Sequence, residues 1–298
     1  MKQHFTPEGQ RLQTPENQRL CGSLHALSTA MESNRILEGR ALICDAEHNL
    51  IVQVGPFTGV IPRQEAALGI AEGKTKDIAI LSRVGKPVCF TVSEISTSSP
   101  TPNLILSRQN AQRMAWDHML QNWCPNMIVP AVVTHLEHFG AFVDIGCGII
   151  SMIGIENISI SQISHPCCRF TTGQKIFALV TNVDSSTMRI SLSHKELLGT
   201  WAENTASLTP GMTVTGYVRS IKHYGMFVEI FPNLSGLAEP AEGYQTGDRV
   251  SVYIKAILPD RHKIKLRVLE RLHGENNPAP LTYFHQSGML VNWNYHEE

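Results

Sequence analysis

The chain has 298 residues, of which 42% are hydrophobic, and a formal net charge of -1 at pH 7. That length predicts two or three domains. No segment is apolar enough to form a membrane helix. The near-zero net charge excludes a protein that coats DNA, which would be far more basic. The seven cysteines lack CxxC spacing, which favours reduced thiols in the cytoplasm over a disulfide framework or a metal site.

The N-terminal third begins with a segment of different composition. Residues 1–33 are rich in Gln, Thr and Pro and predict a flexible or loosely docked segment. Residues 34–110 then alternate apolar and polar positions in short runs such as GRALICDAEHNLIVQVG, residues 39–55. Runs of this kind, bounded by Gly, Pro and Asp, predict short antiparallel strands. Residues 111–124 contain Trp116 and Trp123 and predict a helical linker.

Residues 125–195 and 210–272 repeat the strand pattern more strongly. IVPAVVTHLEHFGAFVDIG aligns with TVTGYVRSIKHYGMFVEIF, and TGQKIFALVTNV aligns with TGDRVSVYIKAI. The closing strands of the two repeats are RISLSHKEL and KIKLRVLER. Together with residues 34–110 the alignment predicts an all-β protein of three tandem repeats, each of about five short strands, with short linker helices.

The remaining segments are predicted as a linker and a tail. Residues 196–209 resemble residues 111–124 and predict a second helical linker, in which Ser193 and Glu196 fit a Ser-x-x-Glu capping box. Residues 273–298 are turn-rich and acidic, and we expect them to be disordered or to lie on the third repeat.

The string HFGAFVDIG in the second repeat combines aromatic residues with a glycine. Strict alternation places Ala141, Val143 and Ile145 in the core and Phe142 and Asp144 on the outer face. A bulge at the intervening glycine would bring the preceding phenylalanine onto the outer face as well.

The phenylalanine before the glycine is Phe139, which would pair with Phe142 on the outer face. The third repeat has Tyr224 and Phe227 at the matching positions. Exposed aromatic pairs are costly unless they bind a ligand, and flat rings suit the stacking of nucleic-acid bases. The alternative is that these rings belong to the barrel core, with the glycine at a corner. Two copies in matching positions favour the stacking hypothesis.

Polar side chains that would contact phosphates surround both aromatic pairs in the sequence. The candidates are His138, Lys175 and Arg189 in the second repeat, and Lys222, His223, Lys255, Lys263 and Lys265 in the third.

These stretches resemble the S1 (S-one) RNA-binding domain, which is named after small-subunit ribosomal protein S1. Residues 128–195 match through FGAFVDIG, GQKIFALVTNVD and RISLSHK, residues 212–267 match through YGMFVEI, SGLAEP and KIKL, and residues 36–110 are a degenerate match. The whole chain resembles the short S1-like ribosomal proteins of Gram-positive anaerobes. The resemblance implies five-stranded oligonucleotide-binding (OB-fold) barrels whose outer strands bind single-stranded RNA.

The resemblance also assigns binding residues. They are Phe139, Phe142, Asp184 and Arg189 in the second repeat, and Tyr224, Phe227, Asp260 and Lys263 in the third. A histidine common in the family is replaced by Gly154 and by Glu239, and we expect the acid to repel phosphate. The first repeat lacks both aromatics and has Asn103 at the basic position, so we expect weak RNA binding there and a role in protein docking.

Three classes of function remain to be compared. The leading hypothesis is a non-catalytic RNA-binding protein that holds single-stranded mRNA near the small ribosomal subunit. The alternative is a scaffold whose barrels dock proteins, which the near-neutral charge favours. An enzyme is disfavoured because the chain has no Gly-rich phosphate loop, no HExxH motif and no clustered carboxylates. We expect a monomer that needs no cofactor or metal and has no membrane partner.

Overall fold

Three closed five-stranded barrels form the computed structural model, which describes residues 5–98, 102–272 and 281–296. The prediction of an all-β protein with three OB-fold repeats and short helices is therefore confirmed. Contacts divide the chain into two compact units, one of Met1–Trp123 with Asp144–Ile150 and the other of Cys124–Val143 with Ser151–Glu298.

Each barrel has the same strand order. The strands of the first barrel are β1 (Leu37–Cys44), β2 (Leu50–Val54), β3 (Phe57–Ile61), β4 (Pro87–Ser96) and β5 (Asn103–Ser107). Those of the second are β6 (Ile128–Glu137), β7 (Gly140–Asp144), β8 (Ile150–Gly154), β9 (Lys175–Asp184) and β10 (Arg189–Ser193). Those of the third are β11 (Thr213–Lys222), β12 (Gly225–Phe231), β13 (Leu234–Ala238), β14 (Arg249–Leu258) and β15 (Lys263–Arg271).

Within a barrel the third strand pairs in parallel with the fifth, and the other neighbours whose register is defined are antiparallel. Alternation fills each interior with branched apolar side chains. In the third barrel Val218, Val228 and Val252 are fully buried, because every second residue of a strand points to the same face.

The helices are short. They are α1 (Pro15–Cys21), α2 (Leu24–Glu32), α3 (Ile78–Leu81), α4 (Arg108–Asn122) and α5 (Trp201–Thr205), and within the described residues none is long and apolar enough to span a bilayer. The expected capping box at Ser193 and Glu196 is wrong. The box is formed by Thr200 and Glu203 at the start of α5, and Ser193 instead donates a hydrogen bond to the carbonyl of Asn157.

The N-terminal segment, for which composition predicted flexibility or loose docking, is attached to the first barrel by specific contacts. The side chains of Thr14 and Ser23 cap α1 and α2, and Leu20 and Leu27 pack into the core cluster of the first barrel. The carboxylate of Glu38 on β1 accepts hydrogen bonds from the backbone N–H groups of residues 9, 11 and 12. Helices this short are not stable alone, and their leucines bury enough apolar surface to stabilise them only when they pack against the barrel.

The C-terminal segment lies along the second and third barrels over residues 281–296; residues 273–280, which fall in the predicted tail, lie outside the described residues. The backbone N–H of Phe284 donates to the carbonyl of Leu197, and that of Trp201 donates to the carbonyl of Tyr295. None of the seven cysteines, all of which are among the described residues, forms a disulfide in the structure.

Candidate nucleic-acid interface

A two-residue turn joins the first two strands of the second barrel and carries one of the two aromatics. Phe139 lies on this turn, between β6 and β7, and is 55% exposed to solvent. Phe142 lies on β7 and is half-buried. The ring centroids are 6.0 Å apart with an interplanar angle of 88°, which is the edge-to-face geometry that aromatic pairs prefer.

The third barrel repeats this arrangement. Tyr224, 51% exposed, lies on the turn between β11 and β12, and its ring centroid is 6.3 Å from that of Phe227 at an angle of 87°. The aromatics of each pair therefore lie side by side, and one ring of each faces solvent.

The glycine between the aromatics has a different role from the predicted bulge. Gly140 and Gly225 are the first residues of β7 and β12, and a Cβ at either would lie 2.4 Å from a carbonyl oxygen of the neighbouring strand. In the third barrel the bulge near the motif lies in β11, between Val218 and Ser220. Glycine is required because two backbones approach closely, and the turn itself brings the first aromatic to the surface.

The acids that follow the aromatics are not on the outer face, so that expectation is wrong. Asp144 is 3% exposed and accepts hydrogen bonds from the backbone N–H groups of Glu8 and Gly146 at 2.8 Å each. Burial and the charge of Glu8 raise the pKa of the Asp144 carboxyl to about 7. Glu229, the matching residue, is 2% exposed, so neither acid lies in the path of a bound phosphate.

The strand register of the third barrel places Phe227 in a row that crosses four strands. Phe227 lies opposite Ser220 on β11 and Leu237 on β13, and Leu237 lies opposite Lys265 on β15. Lys263 points to the same face because it lies two residues before Lys265. The row thus joins an aromatic ring, an aliphatic side chain and two cations.

A shallow depression beside the exposed ring of Tyr224 in the third barrel is lined by Tyr224, Leu237, Glu239, Lys255 and Lys265. The Nζ atom of Lys255 lies 2.6 Å from a carboxylate oxygen of Glu239, and this lysine is the first cause of the lowered pKa of Glu239. The pairing leaves Glu239 less able to repel phosphate than we expected, and it also occupies the predicted binding residue Lys255.

The second barrel spreads its predicted cations more widely. Lys175 begins β9, and Asp184 ends it, so these residues are roughly 30 Å apart along the strand. Arg189 lies opposite Asp184 at the start of β10. The carboxylate of Asp184 accepts hydrogen bonds from Ser186 and Thr187 in its own turn, which lower its pKa to about 2. Arg189 lies two residues before Ser191, which is opposite Met152 on β8.

One residue that the resemblance assigned lies elsewhere. Leu258, not Asp260, lies opposite Lys263 in the third barrel and matches the place of Asp184. Asp260 belongs to the short helix Pro259–Arg261.

Comparison with known proteins relates one barrel to a domain family and a larger part of the chain to ribosomal proteins. Residues 125–195 match the S1 RNA binding domain family. The chain is 30% identical over 233 residues to small ribosomal subunit protein bS1 of Leuconostoc lactis, covering 73% of this chain and 52% of that protein. It is 26% identical over 266 residues to bS1 of Staphylococcus aureus strain COL, with coverages of 84% and 65%. For bS1 of Chlamydia muridarum the identity is 28% over 194 residues, with coverages of 60% and 34%.

The chain is homologous to ribosomal protein bS1. It spans about half the length of the Leuconostoc relative and a smaller share of the Chlamydia protein. The S1 domain match coincides with the second barrel, and the third barrel repeats the S1 strand order and aromatic pair without being part of that match.

The first barrel shares the S1 topology but carries a different outer row. Ile43, Ile51, Val60 and Ile105 lie opposite one another across four strands, in the places of Ser220, Phe227, Leu237 and Lys265. Ile43 is 60% exposed. Asn103 is exposed at the start of β5, opposite Ser96. The S1-type face of this barrel is thus aliphatic.

Histidines surround the S1 aromatic pairs, and sequence analysis found only some of them. His138 packs edge-on against His165 with ring centroids 4.7 Å apart, and His223 packs against Tyr224 at 5.0 Å. The prediction missed His135, which lies 6.3 Å from Phe142 in a stacked arrangement. Its signal was available, because His135 aligns with Ser220, the neighbour of Phe227 across the strands. Among the described residues no cluster of three or more His, Cys, Asp or Glu side chains suits a metal ion.

Proposed function

We propose that this chain is a non-catalytic RNA-binding protein that holds single-stranded RNA, and mRNA in particular, on the outer faces of its second and third barrels. The observation that carries the proposal is the exposed aromatic pair at the same hairpin of two barrels, Phe139 with Phe142 and Tyr224 with Phe227. An exposed ring beside lysine and arginine side chains matches the stacking platform and the charged groove of single-strand binders.

The cations are few, so the binding depends on stacking as well as on charge. Arg189, Lys222, Lys263 and Lys265 would contact phosphates, with His138, His223 and Lys175 at the margins. Each phosphate contact releases counterions and makes the affinity fall with salt, whereas stacking contributes about 1–3 kcal/mol per base and tolerates any sequence. Affinity should therefore depend only weakly on RNA sequence.

The homology to bS1 supports a place for this activity in translation. In the proposal the protein works as a monomer in the cytoplasm and supports initiation with the small ribosomal subunit, which is the assembly that the relatives' name records. Two linked faces bind one RNA more tightly than either face alone, because the second contact forms at high effective concentration.

The first barrel has another role in this proposal. Its row of Ile43, Ile51, Val60 and Ile105 offers no ring for a base, and an aliphatic face suits a protein surface. Replacing Ile43 and Ile105 by Ser should leave RNA affinity unchanged. Loss of RNA binding in that variant would mean that the first barrel takes part. The scaffold alternative for all three barrels is less well supported, because two barrels expose aromatic pairs.

The test is binding of a fluorescent single-stranded RNA of about 20 nucleotides at two salt concentrations. The variant replaces Phe139, Phe142, Tyr224 and Phe227 by Ala, and its folding is checked by circular dichroism. The control replaces Phe231 and Tyr253 by Ala. These are exposed aromatics of the third barrel that lie outside the hairpin turn. We expect the first variant to lose at least about tenfold in affinity and the control to bind like wild type. Absence of wild-type binding at low salt would contradict the proposal.

A further inference from the structure

An open groove lies between the loop that follows β8 in the second barrel and the outer face of the third. Gln162 lies on its loop side, Ser220, Lys222 and Phe227 lie on its barrel side, and Tyr295 of the C-terminal segment contributes a second aromatic ring. No sequence pattern pointed to this groove, because its walls come from three separate parts of the chain.

The walls are held together by buried hydrogen bonds. Asn233 is fully buried; its side-chain oxygen accepts from the backbone N–H of Ile160 at 3.0 Å, and its side-chain nitrogen donates to the carbonyls of Lys195 and Gly199. The hydroxyls of Ser161 and Ser235 lie 2.9 Å apart. The loop is therefore fixed against the third barrel before any ligand arrives.

The charge of the groove favours an anion. Arg219 lines it and forms two hydrogen bonds with Glu229, at 2.9 and 2.8 Å. The same carboxylate also binds the buried Arg169, so two guanidinium groups share one carboxylate and one positive charge remains. Lys222 adds an exposed ammonium group. No acidic side chain is among the described residues that line the groove.

We propose that this groove binds one nucleotide of a single-stranded RNA, which extends the RNA path of the third barrel onto the second. The base stacks on Phe227, its edge meets the amide of Gln162 and the hydroxyl of Ser220, and the phosphate lies beside Lys222 and Arg219. An amide offers both a donor and an acceptor, so this position discriminates between bases, whereas the exposed rings do not. The inference rests on the proposed function, since it assumes that RNA follows the aromatic face.

Two equal changes of charge test the groove in the full-length protein. Gln162→Glu places an acid on the groove wall, and Gln245→Glu makes the same change on an exposed residue of the third barrel outside the groove. A carboxylate a few ångströms from a phosphate should weaken binding roughly fivefold or more, and Gln245→Glu should change it less than about twofold because salt screens distant charges. Equal effects of the two substitutions would overturn the groove proposal.

A photocross-link distinguishes failure of the groove from failure of RNA binding itself. RNA that carries 4-thiouridine is irradiated with the wild-type protein, and the linked peptides are identified by mass spectrometry. Links to residues 160–162 or to Tyr295 in addition to the Tyr224–Phe227 hairpin support the groove. Links to the hairpin alone overturn the groove and leave the proposed function standing, whereas absence of any link to either barrel overturns both.

Discussion

The Nε2 atom of His194 lies 3.0 Å from the hydroxyl oxygen of Tyr283, which the C-terminal segment brings to the second barrel. The other ring nitrogen of His194 lies 2.8 Å from the carbonyl oxygen of Ile158. The imidazole is fully buried, and burial lowers its pKa to about 4. His194 belongs to the string RISLSHK, so this histidine of the sequence motif holds the barrel to the C-terminal segment.

This burial predicts an acid sensitivity. The pKa of His194 is near 4 in the folded protein and about 6.5 in the unfolded chain. Since the unfolded state binds the proton first, the free energy of unfolding should fall by about 3 kcal/mol as the pH falls from about 6.5 to about 4. The measurement is thermal unfolding of wild type and His194→Gln at several pH values. As the pH falls, the melting temperature of the wild type should decrease more than that of the variant. Parallel plots of melting temperature against pH would refute the prediction.

The ion-paired triad of Arg169, Glu229 and Arg219, in which Arg169 and Glu229 are buried, predicts an asymmetric response to mutation. Glu229→Gln leaves both guanidinium groups without their counter-ion and should cost about 3–5 kcal/mol of stability. Arg169→Met leaves Glu229 paired with Arg219 and should cost less, about 1–3 kcal/mol. Chemical denaturation compares the two variants. A larger loss for Arg169→Met would show that packing of that side chain outweighs its charge.

The glycine of the aromatic hairpin predicts a steric effect that can be separated from backbone strain. Gly140→Ala puts a methyl group 2.4 Å from the carbonyl oxygen of Ile153 and should cost roughly 2–3 kcal/mol. Gly173 has a φ of 86° but open space around its Cβ position, so Gly173→Ala should cost only about 1 kcal/mol. Unfolding measurements on both variants check this order, and an equal cost would argue against the close approach.

The ion pair of Lys255 and Glu239 predicts which changes alter RNA affinity. Lys255→Ala leaves the Glu239 carboxylate without its cation beside the RNA path and should weaken RNA binding about two- to fivefold at low salt. Glu239→Gln frees the ammonium group and should strengthen binding about two- to fivefold at low salt, with the gain shrinking as salt rises. Fluorescence anisotropy at two salt concentrations measures both variants. A loss with Lys255→Ala that greatly exceeds the gain with Glu239→Gln would mean that RNA displaces Glu239 from the pair.

The repeated fold was predictable from the sequence because its signals are local. Alternation along each strand and the matching closing strands led to three barrels, and the core positions Ala141, Val143 and Ile145 are buried as predicted. The spacing of the aromatics also predicted that Phe139 and Phe142 lie side by side, although a turn, and not a bulge, brings them together.

The errors arose where distant segments determine the environment of a side chain. Alternation placed Asp144 outside, but the backbone N–H of Glu8, 136 residues away, satisfies its carboxylate. Composition left open whether the N-terminus is flexible or loosely docked, because Leu20 and Leu27 find their partners only on the first barrel. The pairing of Glu239, which follows β13, with Lys255 on β14 depends on β15, which lies between these two strands in the sheet. Such contacts leave no periodic trace in the chain.

Asn233 has a consequence for the timing of entropy loss. Since this one amide ties the loop of the second barrel and the 195–199 segment to the third barrel, the freedom of these parts is lost when the protein folds, and not when a ligand binds. A single-stranded RNA that binds both barrels would therefore find their binding faces at a fixed spacing. The two faces are therefore pre-organised, so that in the proposed function most of the ordering cost of binding would come from the RNA strand itself.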